Sequence, residues 1–266
     1  MKIQHLHKIR KFYKQVQVIP NPSLLNNLAN PMPSPFIASS SKYYGITLDN
    51  KILNTIDRHP MMFPNYFLAY AVAEEWASQD THIRMGTMPL TLLHTQSARI
   101  QYEPAVLSQT TSDILSFLQD DQVCYDLQNA NSINKYQEEL VHTQKFLSGP
   151  IRKFMKNKFH IELPNYKTLH GNSKIDAQTI NNFLKEQHPW VLNVIFLWTR
   201  EFKSCSTALA LLRNEIDYHH ALDMAFLEEN HQIKHYGLVE GAHDVTQALV
   251  TERTIAGLTY LKLLNS

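Results

Sequence analysis

The sequence predicts an α+β protein, a small β-containing N-terminal part followed by a larger, wholly helical C-terminal part. Three observations carry that prediction. Strand-like sequence rich in aromatic and β-branched residues is confined to the first 53 residues. Helical periodicity takes over after Pro64 and is nearly unbroken after Pro104. Hydrophobic residues make up 44% of the 266-residue chain and charged residues 18%, enough to bury a core and too apolar for global disorder.

Taken in order, residues 1–11 form a short basic leader, a possible presequence. The first 48 residues contain no acid but hold Lys2, Lys8, Arg10, Lys11 and Lys14. An acid-poor basic start fits an organelle transit segment and equally an ordinary frayed terminus. Phe12–Ile19 is expected to be a strand. Residues 20–41, rich in Pro, Asn and Ser, are expected to be a loop. Lys42–Leu48 and Lys51–Leu53 are the arms of a hairpin turning at Asp49-Asn50. A helix is expected from Pro64, with Leu68, Val72 and Trp76 on one face and Glu74 and Glu75 beside it. Pro89 forbids that helix from continuing. The N-terminal subdomain therefore spans 12–105.

The helical domain spans 106–266. Its expected helices run near 105–119, 133–158, 176–187, 190–213, 217–234 and 241–264. Pro150, Pro164 and Pro189 separate several of them. Residues 159–175 are expected to connect, with a short extended piece. The stretch Trp190–Trp198 is too short for a membrane span and reads as a buried helix. Trp76, Trp190 and Trp198 all occupy core positions.

Several function classes are excluded or weakened at this level. A formal charge of +1 carries no nucleic-acid footprint. The seven glycines make neither a phosphate loop nor a dinucleotide fingerprint, so no cofactor is expected. There is no nucleophile elbow. Cys124 and Cys205 are far apart and read as small buried hydrophobes. The best enzymatic constellation is the cluster His219, His220, His231, His235 and His243. His231 and His235 are spaced i, i+4, a geometry that can bind zinc. A metal-dependent hydrolase built on His231, His235 and His243 is therefore the alternative to a non-enzyme. The cluster reads more simply as a solvated polar face near a helix end. Glu228 and Glu229, adjacent on a helix, diverge and do not form a facing acid/base pair. Glu240 lies between Gly237 and Gly241, where two glycines in five residues imply a helix stop and restart. On residues alone, its carboxylate is either a helix cap or a binding group.

Ordered motifs along the chain resemble the family of mitochondrial assembly factors that chaperone the α subunit of the F-type ATP synthase head. Lys11-Phe12-Tyr13-Lys14-Gln15-Val16 is similar to the family's opening strand, and Leu48–Thr55 to its hairpin. Pro64–Gln79, ending Ala73-Glu74-Glu75-Trp76-Ala77-Ser78-Gln79, resembles the family's Glu-Trp-x-x-Gln helix, and Thr87-Met88-Pro89-Leu90-Thr91 its Met-Pro-Leu-Thr segment. Cys124-Tyr125, Lys203-Ser204 and Ala208–Leu211 follow. The most specific match is Leu227-Glu228-Glu229-Asn230-His231-Gln232, then Tyr236–Asp244. Departures are the 20–41 insertion, Asp126 for the family's Arg, Ser148-Gly149-Pro150 for its Trp-Asp-Pro, and Tyr236 for its Trp. The resemblance implies a monomeric matrix chaperone, not an enzyme, that binds the unassembled α subunit until β replaces it. It places the partner-binding residues at Glu240, Tyr236, Asp244, Glu228 and Glu229, with Glu240 as the functional carboxylate. It implies no cofactor, no nucleic acid and no membrane span.

Overall fold

The structure is a computed structural model of the full chain, and it describes residues 9–20, 43–125, 135–166, 175–238, 241 and 243–266. The 20–41 loop lies outside the described residues except for Pro20. Among the described residues no helix is long and apolar enough to cross a membrane. The expected α+β class is observed. Short strands occupy the N-terminal part, and ten α-helices account for most of the described chain.

Strand β1 (Ile9–Arg10) pairs antiparallel with β6 (His82–Ile83). A second sheet has the order β2 (Val16–Pro20), β3 (Tyr44–Leu48), β4 (Lys51–Ile52), with β5 (Met62–Phe63) also pairing β3. All pairings are antiparallel. The hairpin turns at Asp49 and Asn50, whose φ values of 47° and 67° are left-handed, a conformation that Asn and Asp tolerate. The expected strand from Phe12 is corrected here. Lys11–Gln15 is not strand, because the Lys14 and Gln15 N–H groups donate to the Asp49 carboxylate instead of to a sheet neighbour. Those bonds hold the Asp49 carboxyl below its ordinary range.

Helix α1 runs Tyr66–Ala77, two residues later than expected, because Asn65 is its N-cap and accepts from the Leu68 N–H at 2.9 Å. Leu68, Ala69, Val72, Ala73 and Trp76 are its buried face. The Tyr13 hydroxyl donates to the Trp76 carbonyl at 2.7 Å, and burial raises Tyr13 to about 12. The opening motif and the Glu-Trp helix are thus joined directly.

Helix α2 (Pro89–Tyr102) explains a second motif pair. A helix start leaves N–H groups without partners. Pro89 has none to lose, and Glu75 supplies the rest. Its carboxylate accepts from Leu90 N–H at 2.8 Å, Thr91 N–H at 2.7 Å and the Thr91 hydroxyl at 2.7 Å. Gln79 fixes the intervening loop by accepting from Arg84 N–H and donating to the Glu75 carbonyl. The Glu-Trp-x-x-Gln and Met-Pro-Leu-Thr segments are two halves of one helix cap. Glu75→Ala is expected to cost about 1–3 kcal/mol, the penalty for donors left without partners. Glu75→Gln, which keeps one acceptor, is expected to cost less. Urea midpoints of the two variants check the order.

Helices α3 (Pro104–Gln119), α4 (Lys135–Phe159), α5 (Gln178–Lys185), α6 (Pro189–Phe202), α7 (Cys205–Leu212), α8 (Tyr218–Ala225), α9 (Leu227–Tyr236) and α10 (His243–Leu264) complete the chain. Two expected helices are each split. The 190–213 segment breaks at Lys203, φ 51°, and restarts at the N-cap Ser204. The 217–234 segment breaks at Phe226. Pro150 lies inside α4 rather than between helices. Trp76, Trp190 and Trp198 are buried, as are Cys124 and Cys205. Burial raises Cys124 to about 12 and Cys205 well above its ordinary value, so neither carries a ready thiolate.

By internal contacts the chain divides into two compact units. One comprises Met1–Pro104 with His188–Trp190 and Ala256–Ser266; the other comprises Ala105–Gln187 and Val191–Ile255. In the first unit, His94 is fully buried, stacked on Phe63 at 4.0 Å, with Nδ1 2.8 Å from the Tyr260 hydroxyl. Burial lowers His94 from 6.5 to about 3 and His188 from 6.5 to about 4. Both folded values lie below the unfolded one. The unfolded chain therefore takes up protons first, and the stability held above pH 6.5 is lost as pH falls toward 4. Buried Asp121 and half-buried Glu75 have raised values and act in the opposite sense. His188→Gln isolates the part that His188 contributes. Between pH 6.5 and 4 the wild type is expected to lose about 1–3 kcal/mol more than this variant, read from urea unfolding at each pH.

Candidate functional site

The residues singled out at 228–244 belong to the second unit. Helix α9 buries Leu227 and His231, four residues apart on one face. Glu228 is exposed and Glu229 half-buried. Their divergence around the helix agrees with the expected absence of a facing carboxylate pair. The Gln247 side-chain amide donates to Asn230 Oδ1 at 2.9 Å and to Glu229 Oε1 at 3.4 Å, linking α9 to the first turns of α10.

The predicted helix stop is present. Gly237 closes α9 with φ 91°, its N–H donating to the Ile233 carbonyl at 2.9 Å. Gly241 has φ 77°. At both positions a side chain would strain the backbone. Helix α10 then restarts at His243, with Asp244 exposed in its first turn, where the helix dipole favours an acid. Glu240 itself, with Val239 and Ala242, lies outside the described residues.

Among the described residues near Glu240 in sequence, four large apolar side chains are exposed. Tyr236 is 80% exposed, Leu238 51%, Val245 50% and Leu249 43%. Val245 and Leu249, spaced i, i+4, share one side of α10. Large apolar side chains left in water beside a glycine-bounded bend are the makings of a protein-docking surface.

Two features here are missed by sequence reasoning. The first is a cleft of about 210 Å³ lined by Gln122, Tyr125, Gln144, Met224, Leu227 and Glu228. It runs from Glu228 to Tyr125 of the Cys124-Tyr125 motif, the one sequence signal that could have found it. The second is the company of His231 and His235. Their rings are 4.6 Å apart, as the i, i+4 spacing suggested. The third group beside them is Glu139 of α4, not His243. His235 Nε2 is 3.5 Å from Glu139 Oε2, and Lys234 pairs with Glu139 Oε1. His220 faces elsewhere, its Nε2 2.7 Å from the Leu147 carbonyl.

A buried polar knot anchors this unit. Asp121 is fully buried. It accepts from the Ser204 hydroxyl at 2.6 Å, the Ser206 N–H at 2.8 Å and the Val123 N–H at 3.0 Å. Burial pushes its carboxyl up, and these bonds pull it back. Ser204 in turn caps α7 through the Thr207 N–H at 3.0 Å.

Comparison with known proteins adds a family and a fold. A family model described as ATP12 chaperone protein matches residues 10–156, more than half of the chain. The crystal structure of Atp12 from Paracoccus denitrificans is similar with a TM-score of 0.75 and 18% identity, over 96% of this chain and 98% of that one. The Atu1473 protein of Agrobacterium tumefaciens is similar with a TM-score of 0.75 and 23% identity, over 96% of this chain and 86% of that one.

Proposed function

The chain belongs to the ATP12 chaperone protein family, and on that premise we propose that it holds the unassembled α subunit of the F-type ATP synthase head until β replaces it. The family is one of chaperones and not of enzymes, and its task is ATP synthase assembly. The choice of the α subunit rests on the motif resemblance along nearly the whole chain, of which 227–244 is the most specific part. The observation that best supports a client site there is the exposure of Tyr236, Leu238, Val245 and Leu249 around the Gly237–Gly241 bend.

The physical logic is mass action. A free head subunit exposes the apolar surface that later pairs with its neighbour, and such a surface aggregates. A binder that covers it lowers the free concentration without consuming energy. Release then needs only a tighter competitor, so no nucleotide cycle is required. The apolar side chains would supply contact area and Glu240 a charged, orienting contact. Monomeric action and residence in the mitochondrial matrix are part of the same proposal; the acid-free, basic first 48 residues support the latter.

Light scattering tests it. Denatured α subunit diluted into buffer is expected to aggregate alone and to stay dispersed with an equimolar amount of this protein. Unchanged scattering would refute the proposal. The hydrolase alternative finds no support. His243 is outside the histidine cluster formed by the described residues, and the family is not enzymatic.

A further inference from the structure

We propose that Glu139, His231 and His235 form a site for one zinc-type divalent cation that clamps α9 to α4. The inference is independent of the client's identity and adds no reaction. One ligand atom from each of the three residues lies within 4.8 Å of the others. The two histidines project from one face of α9, their rings tilted by 59°, and the carboxylate arrives from α4 across the helix contact.

The spacing can be compared with what a metal needs. A tetrahedral site with bonds of about 2.0–2.1 Å holds neighbouring ligand atoms about 3.4 Å apart. The His235 Nε2 to Glu139 Oε2 distance is 3.5 Å, so one edge already has that length. The remaining edges, within 4.8 Å, close by small rotations of the partly exposed His235 and Glu139 side chains. Glu139 also divides its oxygens suitably. Lys234 bonds Oε1 and leaves Oε2 toward the imidazoles. A carboxylate pinned through its other oxygen is the usual outer support of a metal ligand.

The surroundings suit a cation with an open position. His231 is buried and forms the floor, while the His235 and Glu139 side chains are 31% and 42% exposed. Two imidazoles and one carboxylate favour zinc over magnesium or calcium, which prefer all-oxygen sets. Water would complete the shell from the open side. A bound ion would tie the second half of α9 to α4, immediately before the Gly237 bend that leads to Glu240.

Metal-stripped full-length protein should be titrated with zinc chloride against a chromophoric chelator. One equivalent is expected to bind and to raise the melting temperature. His235→Ala and Glu139→Gln, both at partly exposed positions, are each expected to weaken binding at least about 10-fold and to abolish the thermal shift. His243→Ala should leave both readouts unchanged. No binding by the wild type, or wild-type affinity retained in His235→Ala and Glu139→Gln, would overturn the site.

Discussion

Asp121→Ala is expected to destabilise the helical unit by about 3–5 kcal/mol, the summed cost of leaving several buried donors without their acceptor. At this chain length each kcal/mol moves the melting point by about 2–4 °C, so a fall of about 6–20 °C is expected. The size follows from what Asp121 holds. Its carboxylate satisfies the Val123 N–H at the start of the 3₁₀ turn Gln122–Cys124. It also satisfies the Ser206 N–H in the first turn of α7 and the Ser204 hydroxyl that caps that helix. Alanine leaves the Val123 and Ser206 N–H groups buried without that acceptor, and Ser204, 83 residues from Asp121, keeps only its hydroxyl contacts to Ser206 and Thr207. Asp121→Asn keeps one oxygen and is expected to lose less. Thermal unfolding followed by circular dichroism separates the three proteins. A melting point for Asp121→Ala within 2 °C of wild type would show that the knot is not what fixes the α6–α7 corner.

Glu240→Lys is expected to weaken capture of the α subunit about 10–100-fold, the range for reversing a charge that meets a complementary one. Its melting curve should stay within about 2 °C of wild type, since surface substitutions away from special features change stability little. Both readouts matter. A loss of binding with an intact melting curve identifies a contact, and a parallel loss of stability identifies a cap. Tyr236→Ala, which removes the most exposed aromatic beside the bend, is expected to weaken capture as well, through lost apolar contact. Complementation of a strain lacking the endogenous factor gives the same ranking in cells. Normal ATP synthase assembly with Glu240→Lys would remove this carboxylate from the client site.

What the sequence made legible was local. The Asp49-Asn50 hairpin, the break at Pro89 and the Gly237 stop each follow from conformational rules acting on one or two residues, whereas the helix Pro89–Tyr102 that follows the break was not expected. What it hid was long-range. The break after Phe202 depends on Lys203 in a left-handed conformation and on Ser204 bonded to Asp121, a partner no local pattern names. Glu75 looked like one of two carboxylates beside an apolar face. Its task as the cap of α2 appears only when Leu90 and Thr91 fold back onto it. Ala256–Ser266 grouping with the N-terminal unit is likewise a tertiary fact, with Tyr260 meeting His94. At the candidate site the helix stop and restart were readable. Glu139 was not, because it reaches His231 and His235 from another helix.

The central claim concerns the client, and one measurement bears on it most directly. Purified protein should be mixed with free α subunit, and separately with preassembled α–β head, and each mixture resolved by size-exclusion chromatography. A complex with free α that dissolves when β is added, and none with the assembled head, is the predicted result. No complex with free α, or stable co-migration with the assembled head, would contradict it.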